Sequence, residues 1–156
     1  MSKKVTLVVF SSDLDKALAA FIIATGAAAS GMQVTMFFTF WGLNIVKKDV
    51  VKSRGLIKKI MNLLNNRNAK RLALSKFHML GLGTWLIKKF MKDQKIPTLP
   101  ELIKMAKQMG VKMIACTTSI GIMSLEKDSF LSEVDTLAGV SSYLVDAAEA
   151  QINLFI

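Results

Sequence analysis

The chain holds one cysteine, Cys116, and one histidine, His78. A thiolate is the one strong nucleophile such a sequence offers, so Cys116 is where chemistry is first sought. It follows the apolar run Val111-Lys112-Met113-Ile114-Ala115 and precedes Thr117-Thr118-Ser119. This order reads as a strand running out into a small polar turn, and open α/β sheets gather ligands at the carboxyl ends of their strands. A helix over Ile120 to Leu125 would aim its first amides back at the thiol and favour thiolate. Those amides, with the hydroxyls of Thr117, Thr118 and Ser119, would also suit an anion such as a sulfur oxyanion. The competing reading is a packed core residue, because free cysteine is among the most buried residue types. A thiol with no resolving partner suits carriage between proteins better than an internal dithiol cycle.

Other side chains gather around this candidate only if the strands are parallel. Ser11-Ser12-Asp13 follows an apolar strand pattern and offers helix-cap chemistry. Parallel strands would bring Ser11 and Ser12 to the same sheet edge as Cys116, as possible ligand contacts. Phe40-Trp41-Gly42 closes the next strand. Trp41 there reads either as a wall of the cysteine crevice or as core. His78 lies between Phe77 and Met79 in an apolar helical patch, where packing or capping competes with a Cys–His pair. The chain has no P-loop, no GxGxxG after a strand, no GxSxG, no HExxH and no Cys/His cluster. No cofactor and no metal are expected.

The elements that must position these residues follow from periodicity. Lys4 to Phe10 and Gln33 to Thr39 read as buried strands, and Leu14 to about Ala29 as an alanine-rich helix. Pro97 and Pro100 open an amphipathic helix, Leu99 to Met109, that stops at Gly110. After the Val111 to Ala115 strand come a short strand, Val134 to Leu137, a helix, Gly139 to Ala150, and a last strand, Gln151 to Ile156. This alternation predicts an α/β fold, a three-layer α/β/α sandwich with a mainly parallel sheet of about five strands. A 52% apolar composition and a mean hydropathy of +0.41 fit strands buried on both faces. The longest apolar helix candidate, Ala17 to Ser30, is 14 residues, short of the roughly 20 that span a bilayer. A membrane hairpin is therefore disfavoured. One cysteine and no apolar leader point to the cytoplasm.

Charge divides the chain. Between Lys47 and Lys95 stand 14 Lys/Arg against Asp49 and Asp93, a balance of +12, while the remainder carries −2. The expectation is one domain over residues 1–156 with a basic helical insertion at about 47–95. An apolar stripe, Leu56-Ile57-Ile60-Met61-Leu63-Leu64, and a segment Trp85 to Met91 read as its helices. Such a section can be a solvated face, an oligomer contact, a dock for an acidic partner, or a binder of nucleic acid or anionic lipid. Sparse aromatics and no binding motif speak against nucleic acid.

The runs Gly110-Val-Lys-Met-Ile-Ala-Cys-Thr-Thr-Ser119, Asp135-Thr-Leu-Ala-Gly139-Val-Ser-Ser-Tyr-Leu144 and Ala150-Gln-Ile-Asn-Leu-Phe-Ile156, with Met123, resemble the DsrE/DsrF-like family. Phe40-Trp41-Gly42 and the basic insertion are similar to one branch of it. The resemblance implies a cytoplasmic α/β/α domain that assembles as a homo-oligomer, a trimer or hexamer. It also implies sulfur trafficking, with Cys116 matching the cysteine that accepts sulfur as a persulfide or thiosulfate as a thiosulfonate. The acceptors would be small carriers of the TusA or rhodanese kind, which makes the chain a sulfur carrier or sulfurtransferase. Two rivals stand beside this expectation. One is a non-catalytic assembly module with Cys116 in the core; the other is an anionic-surface binder acting through Lys47 to Lys95.

Overall fold

Five strands form one sheet in the computed structural model, which describes residues 3–49, 60, 68–76 and 79–156. They are Lys4–Val9 (β1), Gln33–Phe38 (β2), Lys112–Cys116 (β3), Thr136–Ala138 (β4) and Ile152–Phe155 (β5). Their order is β4-β3-β2-β1-β5, and every pairing is parallel. The helices are Leu14–Ala29 (α1), Leu82–Asp93 (α2), Leu99–Gln108 (α3), Thr117–Ile122 (α4) and Val140–Ala148 (α5), with a 3₁₀ segment at Phe40–Val46. The expected three-layer sandwich with a parallel sheet is the architecture found.

Chain direction decides which face each helix covers. From β1 to β4 the strands are added in one direction, and right-handed crossovers put α1 and α3 on the same face. The step from β4 back to β5 reverses direction, so its helix, α5, falls on the opposite face. The first face is closed by a large apolar core that includes Leu7, Phe21, Met36, Phe38, Ile103 and Met113. The second carries a smaller buried cluster of Phe37, Ile114, Cys116 and Tyr143. The alternation of β1 shows the same division: Val5, Leu7 and Val9 enter the large core while Val8 packs with the small cluster.

Local chemistry sets the boundaries. Helix α3 starts where the Glu101 carboxylate accepts from the Thr98 amide and hydroxyl, both at 2.7 Å. The opening of α1 is held differently. The Leu14 amide donates to the Ala73 carbonyl at 2.7 Å, and the Asp15 carboxylate accepts from the Ser75 amide at 3.0 Å. The basic section thus contributes backbone to the start of the first helix. Asp13 is the N-cap residue, but its side chain makes no cap bond and pairs with Lys16 at 2.9 Å.

One expected boundary needs correction. The helix after Cys116 runs over Thr117–Ile122, not Ile120 to Leu125. It closes in a Schellman arrangement, with the Ser124 amide on the Gly121 carbonyl (3.1 Å) and the Leu125 amide on the Ile120 carbonyl (3.0 Å). Leu125 is buried as a capping contact, which is why its apolar character mimics a further helical turn. The expected stripe at 56–64 lies outside the described residues apart from Ile60, and so does His78. The expected helix around Trp85 to Met91 is part of α2.

Candidate functional site

The strand β3 ends on Cys116, which is also the N-cap residue of α4. No loop separates the strand from the helix, so Thr117, Thr118 and Ser119 form the first helical turn. Thr117 and Thr118 are exposed, whereas Ser119 is buried with its hydroxyl 2.7 Å from that of Thr39. Register brings Thr39 there. Phe38 pairs with Ala115, so the residue after β2 follows alongside Cys116. Thr39 is the residue that sequence reasoning missed. It was legible as a strand terminus, but only the β2–β3 register makes it a neighbour of the thiol.

Cys116 is 5% exposed and packs with Phe37, Ile114 and Tyr143. Burial pushes its thiol pKa up. The Ser119 amide and hydroxyl, the Thr39 hydroxyl and the Thr118 amide more than offset this, and the thiol lies below its ordinary value. As the N-cap residue, Cys116 makes no side-chain cap bond. Helix α4 is six residues long, so these individual donors, rather than a long helix dipole, favour the thiolate. The arrangement can hold a sulfur anion in a mostly apolar setting. That is the environment in which a thiolate is nucleophilic and poorly hydrated.

The other expected site residues are placed less closely. Ser11 and Ser12 follow β1, which is separated from β3 by β2, a distance of about 10 Å across two strand spacings. The Ser11 hydroxyl is engaged with the Asp13 carboxylate (3.0 Å), and Ser12 is buried. They share the sheet edge with Cys116 but lead into α1, on the face opposite the thiol. Trp41 stands in the 3₁₀ segment directly after Thr39 and is half exposed. Gly42 fixes that segment. A Cβ there would lie 2.0 Å from the Val9 carbonyl oxygen, and its amide donates to the Phe10 carbonyl at 2.8 Å. Phe40 is held with φ of 46° and its ring lies 5.6 Å from Phe10, which in turn stacks on Phe155 at 5.8 Å. An exposed aromatic row therefore crosses the carboxyl ends of the middle strands.

Strand order reverses between β1 and β5, where Phe10 stacks on Phe155 and the Ile156 carbonyl accepts from the Phe10 amide at 2.7 Å. The thiol lies two strands from that point. Among the described residues no three His, Cys, Asp or Glu side chains gather as a metal site, and no helix is long and apolar enough to cross a membrane.

Comparison with known proteins agrees with the fold. YrkE of Bacillus subtilis (strain 168), an uncharacterized protein, is 43% identical over 157 residues, covering 99% of this chain and 98% of that protein. The sulfur carrier protein DsrE2 of Allochromatium vinosum is 32% identical over 157 residues, with 99% and 98% coverage. Two solved structures share the fold at low identity. The ychN protein from E. coli superposes with a TM-score of 0.58 at 7% identity, covering all of both chains. MTH1491 from Methanobacterium thermoautotrophicum, a protein of unknown function, gives 0.57 at 12% identity, with 99% of this chain and 100% of that one covered. The profile of the DsrE/DsrF/DrsH-like family matches residues 1–155, and the chain belongs to that family.

Proposed function

We propose that the protein is a sulfur carrier that takes sulfur on Cys116 and passes it to a partner protein. The observation that carries this reading is the Cys116 thiol itself, at the end of β3, with the donors of Ser119, Thr39 and Thr118 holding its pKa down. Membership of the family and similarity to a sulfur carrier protein support it. In the first step the thiolate attacks a sulfane sulfur of a polysulfide, forming a persulfide and releasing the polysulfide shortened by one atom. A thiosulfonate forms when the thiolate attacks tetrathionate, or a thiosulfonate already on a carrier, and displaces thiosulfate or the carrier thiolate. Free thiosulfate would need an oxidant and is not the direct donor. Discharge repeats the exchange in reverse, with the acceptor thiolate attacking the transferred sulfur bonded to Sγ and Cys116 leaving as thiolate. Its depressed pKa makes it a good leaving group in that step.

The partners proposed are small proteins with one reactive cysteine, of the TusA or rhodanese kind. The exposed row of Phe10, Phe40, Trp41 and Phe155 offers them aromatic anchors. A homo-oligomer is part of the same proposal, since Val140, Leu144 and Val145 leave the outer side of α5 apolar and exposed. The chain acts as one unit in this reading, with residues 47–95 as a basic section of it.

Intact-mass measurement after polysulfide or tetrathionate treatment tests the chemistry. Wild type gains a single adduct that dithiothreitol removes, and Cys116→Ser gains none. An unmodified wild type, or an equal adduct on the serine variant, overturns the proposal. The 5% exposure of Cys116 favours one second reading, an assembly module with a packed, unreactive thiol. That reading requires full partner binding by Cys116→Ser and no adduct on folded wild type.

A further inference from the structure

The basic section presents a second amphipathic surface that plays no part in the cysteine site. Helix α2 faces the protein through Met91, which is buried, and through Thr84, whose hydroxyl accepts from the Leu74 amide at 3.3 Å. Lys88 also turns inward and donates to the Lys70 carbonyl at 2.8 Å. Leu82, Leu86 and Phe90 follow one another at four-residue spacing on the opposite side, 59%, 40% and 52% exposed. Trp85 flanks this stripe at 58% exposure, with the Lys89 ammonium 5.5 Å from its ring centre. Just before the helix, Met79 and Leu80 take φ of 38° and 55°, and Leu80 projects wholly into solvent. A left-handed backbone at two apolar residues costs energy, and no buried contact of Leu80 repays it. Lys89, Lys92 and Lys95 border the stripe against one acid, Asp93.

We propose that α2 is an interfacial helix that lies on an anionic lipid surface. Its Leu82-Leu86-Phe90 stripe and Leu80 enter the headgroup boundary, Trp85 sits at the interface, and the lysines pair with lipid phosphates. The stripe runs about 12 Å along a helix of about 18 Å, too short to span a bilayer. Charge complementarity selects the occupant, since the cations Lys89, Lys92 and Lys95 outnumber the one acid, Asp93, beside the stripe. Through Met91, α2 lies near Leu14 and Leu99, the starts of α1 and α3. Those starts mark the carboxyl end of the sheet, so docking would bring the Cys116 end of the molecule toward the lipid.

Flotation of the full-length chain with phosphatidylglycerol-rich vesicles, against pure phosphatidylcholine vesicles, tests the inference. The expected result is binding to the anionic vesicles about tenfold or more tighter, weakened by salt. In a Trp41→Phe background the Trp85 emission shifts to the blue on binding. Phe90→Glu and Leu86→Glu each reduce binding about tenfold with unchanged circular dichroism. Lys89→Gln with Lys92→Gln reduces it at low salt and serves as the readout if a glutamate variant does not fold. Three outcomes overturn the proposal. They are no flotation with anionic vesicles at low salt, flotation indifferent to the apolar variants, and a glutamate variant that changes oligomeric mass while wild type ignores vesicles. The last would identify a protein-docking face instead.

Discussion

The two faces of the sheet are built for different ends. On one, α1 and α3 lie together over β1, β2 and β3, and their side chains close a core in which Phe21 and Phe38 stack 6.1 Å apart. On the other, α5 is the one helix among the described residues, and polar bonds join the stacking of Tyr143 on Phe37 at 5.0 Å in holding it. The Tyr143 hydroxyl meets that of Thr6 at 3.1 Å, and the Asp146 carboxylate accepts from the Thr35 hydroxyl at 3.1 Å and from Lys112 at 2.8 Å. Cys116 sits on this thinner face. The difference teaches that the stability of the fold and the access to its thiol are separable, because the large core does not depend on what happens around Cys116.

The predictions break or sharpen that contrast. Cys116→Ser should abolish sulfur-adduct formation completely while leaving the urea midpoint close to wild type; a large loss of stability would mean the thin face is a structural core after all. Phe21→Ala, on the thick face, should lower unfolding free energy by about 3–5 kcal/mol. Adduct formation on the fraction still folded should persist. Gly42→Ala forces a Cβ against the Val9 carbonyl and should cost about 1–3 kcal/mol. It should also displace Phe40 and Trp41, read as altered Trp41 emission in a Trp85→Phe background.

The next effect is smaller and concerns pH. The thiol pKa is depressed in the fold, so alkylation of Cys116 should rise with pH through a midpoint below that of an unfolded control. Thr39→Val and Ser119→Ala each remove donors to the thiolate, and each should move the midpoint upward. Unmoved midpoints would show that these hydroxyls do not act on the sulfur. Smallest of all, Val145→Ser on the outer side of α5 should change monomer stability by less than about 0.5 kcal/mol in denaturant titration.

Much of this architecture was legible along the chain because its signals are local. The strand at Gln33–Phe38 and the helix at Leu14–Ala29 show their periods within a single window. The helix after Cys116 was misplaced because Thr117-Thr118-Ser119 can form either a turn or a first helical turn. The deciding bonds, in the Schellman closure at Leu125, involve backbone that composition does not report. Ser11 and Ser12 were brought to the correct edge but not to the thiol, since edge membership follows from parallel strands whereas proximity follows from strand order.

The sequence by itself determined the class of the fold, the uneven charge and the one nucleophile, because each depends on residue types at short separation. It also determined the family, whose profile matches residues 1–155. Tertiary structure alone decided the neighbours of the sulfur. Thr39 and Ser119 meet 80 positions apart because β2 and β3 pair in one register, and their hydroxyls oppose the burial that would otherwise raise the thiol pKa. It also decided which side of α2 faces outward, since a helix with apolar residues on more than one side needs a packing partner to choose between them.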